Sequence, residues 1–300
     1  MHNLFLQRPF SVFCFGFLLV SIISLWSEKR IKLYKLTINF WFLMYLISII
    51  FGVLSHSLSS MGLVALVALG LLCYQLDKKV MRPLSTAVMI AGVVLLSVAL
   101  AAHYVPGFYG WRVVESLTLS RDSLPFPIYL SFDKAAVGLM ILGFGFPLIR
   151  RYDEWVLLLK VIAPILIVAL SVLSAILIVT DYVRWDVKLP DVFFIWAVKN
   201  LFFTCVAEEA FFRGFLQQRL SEKLENYRFG NEVSLLFIAI IFGLVHFSAG
   251  LTFVVIAMLA GIFYGYAYQK TQRIEAAILC HFIVNTFHFV FLSYPALANT

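Results

Sequence analysis

The stretch CVAEEAFFRGFL, Cys205 to Leu216, places two adjacent carboxylates and a guanidinium inside an apolar run. Of the sixteen acids in the chain, Glu208 and Glu209 fall deep in an apolar segment, whereas the other fourteen fall in loops or at segment ends. A charge at the centre of a bilayer costs at least about 2.5–3.5 kcal/mol on insertion scales, so a neighbouring pair there points to a functional site, the alternative being a buried ion-pair lock between helices. On an α-helix Glu209 and Arg213 are four residues apart and share a face, and they are expected to pair. Glu208 points about 100° away and is expected to have no local partner. Such a carboxyl suits work as a general base or acid near neutral pH.

Two later apolar segments carry polar groups that could meet Glu208. One is FGLVHF, Phe242 to Phe247, with His246; the other is HFIVN, with His281 and Asn285 four residues apart on one helix face. Counted from the nearest polar anchors, Arg219, Asn231 and Arg273, Glu208 lies about 16 Å deep, His246 about 22 Å, and His281 and Asn285 about 12 and 18 Å. All four are expected near mid-membrane. A carboxylate and an imidazole can polarise a water, and an imidazole N–H and an amide NH₂ can hold a developing oxyanion. That is a set for hydrolysis. The chain has no HExxH for zinc, no GxSxG serine and no GxGD aspartate. Cys205 and Cys280 flank the set, but sequence neighbours on a helix face different ways. His288 shares the stripe of His281 and is expected to be a satisfied core histidine.

The surroundings of these residues define their solvent. The 300 residues are 62% hydrophobic and 13% charged, with mean hydropathy +0.96. Soluble domains run nearer half apolar and a quarter charged. The composition is that of an all-α, polytopic membrane helix bundle. The net charge of +7 records topology rather than nucleic-acid binding. The four cysteines are scattered through apolar runs and show no disulfide or CxxC spacing. The first apolar run has no small-x-small cleavage site after it and is expected to be a retained anchor.

About ten segments approach the roughly 20 apolar residues a span needs: 9–26, 38–56, 61–76, 84–103, 135–149, 155–180, 191–220, 232–247, 251–268 and 276–293. Fourteen of the 23 Lys and Arg fall in one set of alternate loops, Lys35, Lys79 and Arg82 among them, and six, including Lys134, in the other. The positive-inside rule puts the first set in the cytoplasm and both termini outside. One outer loop, 104–134, is long and rich in aromatics and proline. It suits either an ordered segment at the interface or a plain connector. GIFYG, with Gly261 and Gly265, has the spacing of a close helix-packing device.

EEAFFR fits EExxxR at Glu208, Glu209 and Arg213; FGLVH fits FxxxH at Phe242 and His246; HFIVN fits HxxxN at His281 and Asn285. In motif, order and spacing the chain resembles the type II CAAX prenyl endopeptidase and bacteriocin-processing (abortive-infection-like) family of intramembrane proteases, over roughly residues 190–295. The resemblance implies an endopeptidase of glutamic type in a bacterial-type inner membrane, acting on a membrane-associated peptide or protein. It implies that Glu208 and His246 activate water and that His281 and Asn285 stabilise the oxyanion, with Glu209 and Arg213 as structural support. It implies no cofactor; a zinc-dependent version would use Glu208, His246 and His281 as ligands. The division expected is 1–150 for N-terminal transmembrane helices and 151–300 for a protease core. The competing readings are a catalytically inactive scaffold or immunity protein of the same fold, and a carrier using Glu208 and Glu209. A carrier would be expected to show internal repeats and broken spans, which the sequence lacks.

Overall fold

The computed structural model describes residues 8–34, 36–78 and 83–298. Lys35, Lys79 and Arg82, which enter the charge asymmetry, lie outside the described residues. Each of the ten apolar segments carries helix. The order is α1 (Pro9–Ile23), β1 (Arg30–Leu33), β2 (Leu36–Asn39), α2 (Phe40–Leu54), α3 (Ser60–Asp77) and α4 (Pro83–Ala101). Then come β3 (Trp111–Leu117), β4 (Phe126–Leu130), α5 (Phe132–Gly145) and α6 (Tyr152–Val179). A continuous helical run follows as α7 (Phe193–Val198), a wide-turn stretch (Lys199–Cys205), α8 (Val206–Glu209), a second wide-turn stretch (Ala210–Gln217) and α9 (Gln218–Lys223). The chain closes with α10 (Gly230–Leu244), α11 (Leu251–Thr271) and α12 (Ile274–Phe291). Among the described residues, six helices are long and apolar enough to cross a membrane, counting α1 with its short extension to Trp26, then α3, α4, α6, α11 and α12. The protein is an integral membrane protein.

Two small sheets amend the all-α expectation. β1 pairs antiparallel with β2, Arg30 opposite Asn39 and Ile31 opposite Ile38. β3 and β4 pair within the long 104–134 segment, which is therefore ordered.

The fold divides into two compact units. The first comprises the described residues up to Val114, Ile128–Leu148 and Phe202–Phe211. In it α1 packs along α2, and serines bind across the pair: Ser21 Oγ donates to Trp41 O (2.7 Å) and Ser48 Oγ to Cys14 O (2.8 Å). α3 packs on α4 and α5. α5 is buried almost throughout, from Phe132 to Leu142, as expected of a helix apolar on all sides. Its 14 residues rise about 21 Å, short of the hydrocarbon thickness of about 30 Å. The expected span 135–149 is thus a short internal helix, and after Gly145 the chain runs extended.

The second unit comprises Glu115–Pro127, Ile149–Leu201 and the described residues from Phe212 onward. Here α11 packs on α6, α10 and α12. Gly243 lets α10 approach α11, since a Cβ there would stand 2.7 Å from Val254 O. At one end, segments 120–124, 182–188 and 292–298 are stitched by backbone hydrogen bonds, including Asp186 N to Phe291 O (2.9 Å), Leu297 N to Tyr182 O (3.0 Å) and Ala298 N to Asp122 O (2.9 Å). At another place Arg273 donates to Glu154 (2.7 Å), and the buried Glu275 accepts from Ile149 N (2.6 Å).

Candidate active site

The acidic pair sits in α8, four residues of α-helix between two stretches whose hydrogen bonds run i→i+5. Such wide turns are rare and concentrate at functional sites. They also correct the angular argument made from sequence, because a step of 100° per residue does not hold over 210–217.

In the first unit, Glu209 is fully buried, and Glu208 is partly buried, its side chain 13% exposed. Glu208, expected to have no local partner, takes one from a distant element. Lys134 Nζ, from the first turn of α5, donates to Glu208 Oε1 at 2.6 Å. The sequence assigned Lys134 to an outer loop; its side chain instead turns in toward α8. The backbone of α5 is anchored beside it. Lys134 N donates to Asp133 Oδ1 (2.9 Å), and Asp133 Oδ2 shares a 2.6 Å hydrogen bond with His103 Nδ1. The Asp133 side chain is 2% exposed. One turn further along, Gly138 meets α8, where a Cβ would stand 2.6 Å from Ala207 Cα.

In the second unit, the aromatic residue of FxxxH is a hub. Phe242 is buried and faces the guanidinium of Arg213, 4.4 Å from its centroid. The rings of His246 (5.0 Å), His281 (5.8 Å) and Phe212 (5.1 Å) surround it. His281 is buried and stacks on Tyr264, centroids 4.7 Å apart and planes at 14°. His246 and His281 are thus brought against one ring.

His246 does not lie in mid-helix. α10 ends at Leu244, and His246 opens a turn, Phe247–Ala249, before α11. Its Nδ1 lies 2.7 Å from Phe242 O. A carbonyl only accepts, so Nδ1 carries the proton and Nε2 presents its lone pair. Asn285 Nδ2 donates to Asn200 Oδ1 at 3.3 Å, from the first wide-turn stretch. Asn200 is buried and was missed from sequence, where a lone Asn next to Lys199 at a span end looks interfacial. His288 is satisfied, as expected: its Nε2 donates to Ser293 O (3.2 Å), and its ring meets Tyr294.

Arg213 is fully buried and donates to Gly261 O at 3.0 Å. One turn on, Gln217 Nε2 donates to Gly265 O at 3.1 Å. The GIFYG spacing therefore opens α11 to two polar side chains as well as bringing helices close. Among the described residues, no group of three or more His, Cys, Asp and Glu gathers so as to hold a metal ion. All four cysteines are buried free thiols.

Residues 190–287 match the family model described as Type II CAAX prenyl endopeptidase Rce1-like. This segment, 98 of the 300 residues, is similar to that family. It holds Glu208, Glu209, Arg213, His246, His281 and Asn285, and also Asn200 and Tyr264. Lys134, which reaches Glu208, lies outside the Rce1-like segment. Neither a curated protein nor a solved structure matches the chain.

Proposed function

We propose that the protein is an intramembrane endopeptidase of glutamic type that cuts a peptide bond of a membrane-associated peptide or protein. Glu208 takes a proton from water as the oxygen adds to the scissile carbonyl, with His246 Nε2 holding that water. His281 and Asn285 donate to the tetrahedral oxyanion. The intermediate collapses as the proton passes to the leaving amine. Each of these tasks follows from the inventory of donors and acceptors in the side chains named. Glu209 and Arg213 hold the helices that carry the set. The observation that carries the reading is the Rce1-like match, whose 98 consecutive residues from 190 to 287 contain all three motifs.

We read the reaction as metal-free. In it the ammonium of Lys134 balances the charge of Glu208 through Oε1, and His246, with Nδ1 donating to Phe242 O, turns Nε2 to the water. The localisation that goes with this reading is a bacterial-type inner membrane.

The test compares membrane fragments in cells making the wild type, Glu208→Gln and His246→Ala. Fragments present only with the wild type, at equal folded yield of all three, are the expected result. Wild-type cleavage by Glu208→Gln would end the assignment. Loss of cleavage on chelation, restored by zinc, would replace the metal-free mechanism.

A further inference from the structure

We propose that Lys134 is a positioning residue for the reaction, holding the carboxylate of Glu208 in its working orientation. This rests on the reading of Glu208 as the proton acceptor. Three observations in the first unit carry it. The first is the contact itself, a charge-assisted hydrogen bond of 2.6 Å between side chains 25% and 13% exposed. Lys134 and Glu208 are 74 residues apart, and no local periodicity brings them together.

The second is that the backbones are locked at the right spacing. Lys134 and Gly138 are four residues apart on α5 and so share a face. Gly138 lies against Ala207, the residue before Glu208, at a distance that excludes a Cβ. The third is the foot of the lysine. Asp133, almost fully buried, binds the Lys134 backbone N–H through one oxygen and His103 through the other. The long side chain of Lys134 therefore starts from a fixed point and reaches α8 from a face that cannot slide.

A carboxylate on a four-residue helical stretch between two wide turns gets little help from its own backbone. Contact through Oε1 ties the group to α5 and limits the orientations it can take. Misplacement of a reacting group by about 1 Å costs roughly a hundredfold in rate. Lys134 acts through Glu208 and not on the peptide, so its loss acts on turnover and not on substrate binding.

The experiment uses the full chain in detergent and a quenched fluorescent peptide. The peptide spans a cut found as a membrane fragment present with the wild type and absent from cells lacking the protein. Lys134→Met is expected to lower kcat about a hundredfold with KM unchanged, and Lys134→Arg to recover most of the rate. Lys134→Met at wild-type kcat, with Glu208→Gln inactive, overturns the inference and leaves the proposed function standing. A reduced folded yield whose folded fraction turns over at the wild-type rate also overturns it, because a purely structural role does that. If Lys134→Met is lost from extracts, Lys134→Gln and Lys134→Arg are compared. Equal rates for these two overturn the inference. Glu208→Gln at wild-type rate removes the proposed function itself, and this inference with it.

Discussion

The carbonyl oxygen of Gly261 accepts a hydrogen bond from Arg213 at 3.0 Å, while the same guanidinium covers the face of Phe242, which packs against both His246 and His281. A buried cation is thus held by the backbone of α11 and by the ring that meets both histidines. A Cβ at position 261 would stand 3.2 Å from the Phe242 ring and 3.3 Å from the guanidinium. Gly261→Val is therefore expected to lower folded yield sharply and Gly261→Ala moderately, read by size exclusion in detergent and thermal melting. Arg213→Ala removes one partner of a buried charge arrangement and is expected to cost about 3–5 kcal/mol.

Gly243 offers a control on helix packing. An added Cβ would meet backbone, Val254 O at 2.7 Å, and Met258 Cβ at 2.8 Å. Neither can swing aside, so Gly243→Ala is expected to destabilise by about 1–3 kcal/mol. Gly16, on α1, has nothing within 4 Å of an added Cβ. Gly16→Ala is expected to melt no lower than the wild type, with a gain of up to about 1 kcal/mol from helix propensity. Equal losses from both substitutions would refute the packing argument.

The amide of Asn285 is held by Asn200, so the two should differ in degree. Asn285→Ala is expected to lower kcat by about 10²–10³, the cost of one oxyanion donor. Asn200→Ala leaves the donor present but loosens it, and a smaller loss in kcat is expected. Steady-state kinetics on one peptide substrate compare them.

Outside the helices, Ser120 donates to Asp186 and, with Lys188, holds its carboxyl below the usual carboxylate range, against the opposing effect of partial burial. A depressed carboxyl contributes stability above its unfolded pKa of about 4 and loses it as pH falls through the folded value. Lys188 also donates to the backbone oxygens of Asp186 and Leu292, tying the 182–188 loop to the C-terminal segment. Amide exchange at 182–188 and 293–297 is expected to quicken on acidification below about pH 4, relative to helix amides. Asp186→Asn is expected to be fast already at pH 6 and to lose that pH step.

Helices were legible in the sequence because each apolar run is long enough to be nothing else, and all ten runs are helical. The first hairpin left a trace that the charges obscured. RIKL and LTIN alternate with period two, but Arg30 and Lys32 had been counted toward topology. That His281 and Asn285 share one helix face follows from spacing alone. Lys134 could not be found that way. Sorting cations by loop assigns a side for each residue, whereas its contact with Glu208 depends on how α5 and α8 approach through Gly138 and Ala207. The wide turns on either side of Glu208 and Glu209 were equally invisible, since no residue type specifies an i→i+5 bond. His246 was included at the end of the helical run 232–247 because the apolar pattern runs on past Leu244, where the helix stops.

Gly250 closes the turn that begins at His246, at φ 94° and ψ 160°, and an added Cβ there would meet nothing within 4 Å. That region of dihedral space is essentially reserved for glycine. Selection at this position therefore acts on torsion rather than on volume. Descendants of this sequence should keep a single letter at 250, however freely its exposed neighbours Phe247, Ser248 and Leu251 drift.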